Sequence, residues 1–402
     1  VRHPRSVAEI AAIVRAEPSV KAIGSGHTFN LVADAAVQVA LDRMPADVVI
    51  DGSTRTVRVS AGMRYGDLAV RLHAQGWALA NLASLPHISV AGAVATGTHG
   101  SGDRLGSLAT AVRGLTLVDG QGRLRTLTAD HPDLPGAVVS LGALGIVTDL
   151  TLAIEPTYDV RQAVYLDVPW AGFDYADATS LGDSVSLFTA WTGDVIPSVW
   201  VKRRSGRPFA PQWSGGSLQT EDVHPTRRQP AVNTTPQCGV PGPWYERWPH
   251  FRMGFTPSTG AEIQSEYLLP RKAAAEAFSA LRALARSDLA DAFQRLLIIA
   301  EVRSVAADDL WLSGAYGRDT VGIHFTWHLD LEGVERALVP IEQALVPLGA
   351  RPHWGKLHLL EEARLRPLYP RFDDFVRLRR SYDPDGLFDN GYLNRVLGPA
   401  GT

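Results

Sequence analysis

Cysteine is nearly absent and lysine is scarce. Cys238 is the sole cysteine among 402 residues, so no intrachain disulfide can form, and a zinc site built on several thiolates is excluded. Lys21, Lys202, Lys272 and Lys356 are all the lysines, and arginine carries nearly all the positive charge. The formal net charge is -3, with no basic block, which argues against a nucleic-acid surface. No apolar run is long enough to span a membrane, and no signal-peptide pattern is visible. Repeats and low-complexity tracts are also missing. What remains is an ordinary globular composition at a length that suits two domains better than one.

Glycine, by contrast, is concentrated where it can do chemistry. The stretch 84–102 holds Gly92, Gly97, Gly100 and Gly102 among serines and threonines, with no acid and no lysine. Such glycines can adopt positive φ and let backbone approach a ligand closely, and backbone N–H groups in loops of this kind face anions. Gly24-Ser25-Gly26-His27-Thr28 has the same character and follows a short apolar strand at 20–23. Two such loops in one domain point to a long ligand with a diphosphate in its middle. Neither loop is closed by Lys-Ser or Lys-Thr, which disfavours a P-loop NTPase.

Periodicity divides the chain. Before residue 155 the elements are short: a capped helix from Ser6 to about Arg15, strands at 37–41, 48–50 and 56–60, a helix at 67–75, a hairpin at 111–127 around Asp119-Gly120, and a strand at 147–154. After it come longer strands at 160–168, 184–191, 198–204, 262–269, 296–305 and 320–329, with helices at 271–286 and 331–345. An antiparallel sheet with helices on one face is the simplest architecture for this half. A Pro-, Gly- and Trp-rich segment at 206–255 has little periodicity, and 365–369 and 372–380 read as helix.

Glu301 and Arg303 stand two apart on a strand and so share one face. They are either a buried structural ion pair or a pair that holds substrate hydroxyls, the acid accepting and the guanidinium donating in a fixed fork. His324, Thr326 and His328 share a face of the next strand. No metal is expected there, because the zinc pattern needs a helix and the glutamate of H-E-x-x-H. His324 is either structural or a base suited by its near-neutral ionisation.

Gly-Ser-Gly-His at 24–27, taken with Ser-Val-Ala-Gly-Ala-Val-Ala-Thr-Gly-Thr-His-Gly-Ser-Gly at 89–102, resembles the vanillyl-alcohol-oxidase flavoprotein superfamily. Ala-Glu-Val-Arg at 300–303, His-Phe-Thr-Trp at 324–327 and Pro-His-Trp-Gly-Lys at 352–356 are similar to its bacterial alditol oxidase (xylitol or sugar-alcohol oxidase) branch, and the likeness runs over nearly the whole chain. Two departures are a short segment that the family carries before the position of Val1, and the residues around His358.

The resemblance implies an α+β, two-domain flavoprotein. Residues 1–155 would bind FAD in two small α/β subdomains, with 355–402 returning to them, and 156–354 would form a cap with a large antiparallel sheet flanked by helices. His27 would be bonded through a ring nitrogen to the flavin 8α carbon, and that bond would be the only one, since doubly attached relatives need a cysteine near the second loop. Ala22, Ile23, Gly24, Ser25, Gly26, Thr28, Ser84, Ser89, Gly92, Thr96, Gly97, Thr98, His99, Val147 and Lys356 would hold the cofactor, although His99 could equally stabilise its own turn. Substrate would meet Ser84, Thr326, Glu301, Arg303 and Lys356, and His324, Lys356, Glu301 and Arg303 would carry catalysis. The implied reaction oxidises the terminal hydroxyl of an alditol such as xylitol, sorbitol or glycerol, with hydride passing from C1 to flavin N5 and oxygen yielding hydrogen peroxide. A monomeric, cytoplasmic bacterial enzyme is the expectation, with small molecules rather than nucleic acid or membrane as partners. The near alternative is an aldonolactone oxidase or dehydrogenase of the same superfamily. A non-catalytic nucleotide-binding module is the distant one.

Overall fold

The computed structural model describes residues 1–206, 213, 215–227, 229–255, 261–287 and 289–399. Part of the 206–255 segment and the last three residues therefore lie outside the described residues. Two hydrophobic cores organise the chain. The first is built on residues 10–160 and takes Trp354, Leu365, Phe375, Phe388 and Val396 from the C-terminal part. The second lies within residues 163–350.

Over the first core sit a parallel pair, Val20–Ile23 with Val37–Ala40, and a five-stranded antiparallel sheet. In that sheet Ile146–Ala153 runs between Thr56–Ser60 and Val112–Val118. The alternation is strict: Ile146, Thr148, Leu150 and Leu152 are buried while their neighbours are half-exposed. The stretch expected as one long loop contains a helix, Val90–Ala95. Val90, Ala93 and Val94, at i, i+3 and i+4, bury one face of it. Three alanines and small flanking residues fit that turn tightly, and the glycine count masked their helical preference.

The second core lies against one face of a nine-stranded sheet whose pairings are all antiparallel. Three strands show how this sheet divides its side chains between its two faces. On Thr320–His328, Val321, Ile323, Phe325 and Trp327 are fully buried toward the helices Ala274–Leu284 and Leu331–Leu345. Phe325 and Trp327 stack with centroids 5.3 Å apart. Gly322, His324 and Thr326 then face the other way, because side chains alternate along a strand. The neighbours Leu297–Val305 and Glu262–Pro270 follow the same rule. Ala300, Val302, Ile263 and Tyr267 join the helical side, leaving Glu301, Arg303 and Glu266 on the opposite face. Ala290–Leu296 is helical, so the strand expected from residue 296 begins at Leu297, and Gly391–Leu397 adds a terminal helix beyond the expected elements. No helix among the described residues is long and apolar enough to cross a membrane.

Candidate active site

Register brings the charged residues together. Glu301 pairs with His324 on one side and with Phe188 on the other, and His324 pairs in turn with Glu266. Three ionisable side chains thus stand in a row across three strands. Glu266 is the hub. Its Oε1 accepts from Arg303 Nη2 at 2.9 Å and its Oε2 from Lys356 Nζ at 2.5 Å, while His99 Nε2 lies 3.0 Å from Oε1. Burial alone would raise the pKa of its carboxyl, but Lys356 and Arg303, with His99, outweigh burial and hold it well below its usual range. Glycine at 322 leaves room for this hub: a Cβ there would stand 3.2 Å from Glu266 Oε1 and 3.3 Å from His99 Cε1.

Glu301 is held below its usual range as well, since Arg303 and His250 overrule its burial. His250 Nε2 lies 2.8 Å from Glu301 Oε1, whereas Oε2 has His324 Nδ1 at 4.0 Å. One oxygen of Glu301 is therefore occupied, and among the described residues the other accepts no hydrogen bond. Arg303 Nη1 also reaches Ser84 Oγ and the His99 carbonyl, each at 3.4 Å. His324 Nδ1 is 3.4 Å from Lys356 Nζ and Nε2 is 3.3 Å from Thr326 Oγ1. Both contacts are long enough to yield to a better partner. Burial, then the Lys356 charge, lowers His324 to about 3, so the ring is neutral at neutral pH. Burial likewise lowers Lys356, against the pull of Glu266.

The two glycine loops meet beside this wall. Ser89 N donates to Ser25 Oγ at 3.0 Å. A Cβ on Gly24 would fall 2.3 Å from Ser89 Oγ and one on Gly92 2.7 Å from it, so only glycine allows the contact. Gly26 and Gly97 have φ of 70° and 68°, which also favours glycine. The N–H groups of Gly26, His27 and Thr28 donate to no acceptor among the described residues. Gly24, Gly26 and His27 are exposed. Unpaired donors on an exposed rim with no nearby acid are what a diphosphate requires, so the residues present fit a dinucleotide. The His27 loop is tied to the segment that carries Lys356: Phe29 N donates to Gly355 O at 2.8 Å, and Asn30 Nδ2 to the Trp354 and Lys356 carbonyls at 2.8 and 2.9 Å. His27 Nδ1 donates to Ser25 O at 3.1 Å, and partial loss of solvent around the ring lowers its pKa.

The remaining expected residues fall as follows. Ala22 and Ile23 end the strand that feeds the first loop. Thr96 Oγ1 donates back to Gly92 O at 3.0 Å and lies 3.3 Å from Thr98 Oγ1. Val147 pairs with Leu117. His99 Nδ1 donates to Gly100 O at 2.8 Å, and its other nitrogen faces Glu266, so the ring is engaged in its own turn and in the hub. Among the described residues no cluster could hold a metal, and His328 is exposed. His358 is buried against the Tyr392 hydroxyl at 3.1 Å, a packing role away from the charged row.

Three residues of the network had not been singled out for a role: Glu266, His250 and Lys202. An acid opposite His324 in an otherwise buried strand was the available signal for Glu266. His250 sits in the aperiodic segment, where periodicity carries no information.

A family model described as D-arabinono-1,4-lactone oxidase matches residues 259–396, and one described as FAD binding domain matches residues 1–128. A curated alditol oxidase from a Streptomyces species is 46% identical over 401 residues, spanning 99% of this chain and 95% of the relative. The chain belongs to the alditol oxidase family of vanillyl-alcohol-oxidase-type flavoproteins. An L-gulono-1,4-lactone dehydrogenase from Mycobacterium tuberculosis is 30% identical over 423 residues, covering 98% of this chain and 95% of the relative. The crystal structure of a cholesterol oxidase from B. sterolicum superposes with a TM-score of 0.80 over 98% of this chain and 93% of its own, at 14% identity, which bears on the fold alone. The cofactor of this family member is FAD, and the two glycine loops are the residues that fit it.

Proposed function

We propose that the enzyme oxidises the terminal hydroxyl of an alditol such as xylitol or sorbitol to the aldose, with oxygen as acceptor. The observation that carries this reading is the alternation of donors and acceptors along one wall. Ser84, Arg303 and Lys356 can donate, Glu301 Oε2 can accept, and neutral His324 with Thr326 can do either. A polyol presents neighbouring hydroxyls that each need both. When bound, FAD supplies the acceptor for the C1 hydrogen and the route by which the electron pair reaches oxygen as hydrogen peroxide.

The protein's own residues do the rest. Glu301 Oε2 and Arg303 fix the hydroxyl next to the reacting carbon. Ser84 and Thr326 complete the polar wall. His324, neutral and adjacent to the Lys356 ammonium, takes or orients the C1 hydroxyl proton on a ring nitrogen, and Lys356 stabilises the oxygen as it loses that proton. His27 is the residue for the single covalent bond to the flavin. A site built to pair hydroxyls rejects deoxy analogues strongly. The second reading, an aldonolactone oxidase or dehydrogenase, is favoured by the model that matches residues 259–396. The rate of flavin bleaching in anaerobic holoenzyme given xylitol, sorbitol, a simple alkanol or a γ-lactone separates them. Alditols should lead by at least about 100-fold over the alkanol; a γ-lactone turned over faster than every alditol overturns the assignment.

A further inference from the structure

Lys202 and His250 lie buried behind Glu301. Lys202 sits on Val195–Arg204, on the same sheet face as Glu301 and Arg303, and is 1% exposed. Its ammonium has three hydrogens and three acceptors: the Trp248 carbonyl at 2.6 Å, the Pro249 carbonyl at 3.1 Å and His250 Nδ1 at 2.9 Å. With Nδ1 accepting, a neutral His250 must carry its proton on Nε2, and Nε2 is the atom 2.8 Å from Glu301 Oε1. That N–H faces the carboxylate.

We propose that Lys202 and His250 are positioning residues for Glu301. Lys202 sets the ring's tautomer, and His250 ties up one carboxylate oxygen so that the other is the single acceptor offered to a substrate hydroxyl. The ring is locked from every side. It packs edge-on to Trp200 at 5.1 Å and Phe188 at 5.5 Å. Its backbone N donates to Ser84 O at 3.0 Å, and its carbonyl accepts from Thr235 N at 2.9 Å. The charged groups that face it are Lys202, Glu301 and Arg303, with the Ser186 hydroxyl 3.4 Å away. The segment that contains Trp248, Pro249 and His250 is fastened to the sheet and to Ser84 by the same contacts that aim Glu301.

For its substrate the proposal rests on the alditol reading, so the test has one part that does not need turnover. In holoenzyme labelled with 15N-histidine, His250 should be the neutral Nε2–H tautomer and should not titrate between about pH 5 and about pH 9. An Nδ1–H tautomer, or titration at an ordinary histidine value, overturns the proposal whether or not alditols are oxidised. The second part uses xylitol. His250→Phe should raise KM about 10- to 100-fold with kcat within about 3-fold, because the contact it aims is made in ground and transition states alike. His250→Gln, whose amide can both accept from Lys202 and donate to Glu301, should recover most of the loss. Lys202→Met should add an ionisation to kcat/KM between about pH 4 and about pH 6.5 that the parent lacks, since the ring then titrates beside Glu301. A His250→Gln variant no better than His250→Phe, or a Lys202→Met profile identical to the parent's, contradicts the account. An enzyme that ignores xylitol while its His250 tautomer is as stated sinks the alditol reading and leaves the positioning pair standing.

Discussion

The proposed cofactor side and the proposed substrate side of this enzyme are built by opposite means. On the proposed cofactor side, recognition would be made by backbone. Gly24 and Gly92 remove side chains where the two loops touch, and Gly26, at positive φ, sits in the turn whose N–H groups at 26–28 donate to no acceptor among the described residues. On the proposed substrate side it would be made by charged side chains, Glu266, Glu301, Arg303 and His324 on three strands and Lys356 on a turn, packed into one buried network. A backbone site is local and tolerates change around it. A buried charge network is collective, and each member leaves another uncompensated when it goes.

Removing a network member should therefore do more damage than removing a loop contact. Arg303→Ala leaves both Glu266 and Glu301 buried without their guanidinium. It should cost about 3–5 kcal/mol of stability and abolish turnover, as read by denaturant melts and peroxide release. Retained stability would show that the network is not collective. Next in size, Gly24→Val forces a side chain into Ser89 and should lower flavin content severely at a smaller cost to the melting temperature of the apoprotein. An equal loss of both would erase the contrast between the two sides. His27→Ala should keep the fold and bind FAD, but its yellow colour should wash out of an acid precipitate that retains it in the parent.

Acid should expose the substrate side further. His250 and His324 are lowered by burial to about 4 and about 3. The unfolded chain therefore takes up their protons first, near pH 6.5, and stability falls as pH drops from there toward those values. The depressed carboxyls of Glu266 and Glu301 act in the same direction: their contribution is full above the unfolded carboxylate value and is lost as pH falls below it. Melting temperature should decline steadily below about pH 6.5, and a flat profile to pH 4 would refute it. The smallest effect belongs to the exposed surface. Arg295→Ala removes a pair with Asp291 on an exposed helix turn and should change stability by no more than about 0.5 kcal/mol.

The same contrast explains what the sequence made legible. The glycine loops are contiguous, so Gly24–Thr28 and Ser89–Gly102 could be recognised before any fold was known. Alternation along single strands placed Glu301 with Arg303 and His324 with Thr326, because period two is a property of one strand. Glu266 needed the register between Glu262–Pro270 and Thr320–His328, which no single strand encodes. His250 and Lys202 needed the course of the aperiodic segment across the sheet. The short helix Val90–Ala95 was hidden by its glycine, and the terminal helix Gly391–Leu397 by its position after a run of turn residues.

The most direct measurement is anaerobic mixing of holoenzyme with xylitol while following flavin absorbance. Bleaching by xylitol and sorbitol, absent with a γ-lactone and shifted in Glu301→Gln to at least about 10-fold higher xylitol, is the predicted result. Bleaching by the lactone alone, or a Glu301→Gln variant bleached at the parent's xylitol concentration, would contradict the claim that this wall of charged side chains reads the hydroxyls of an alditol.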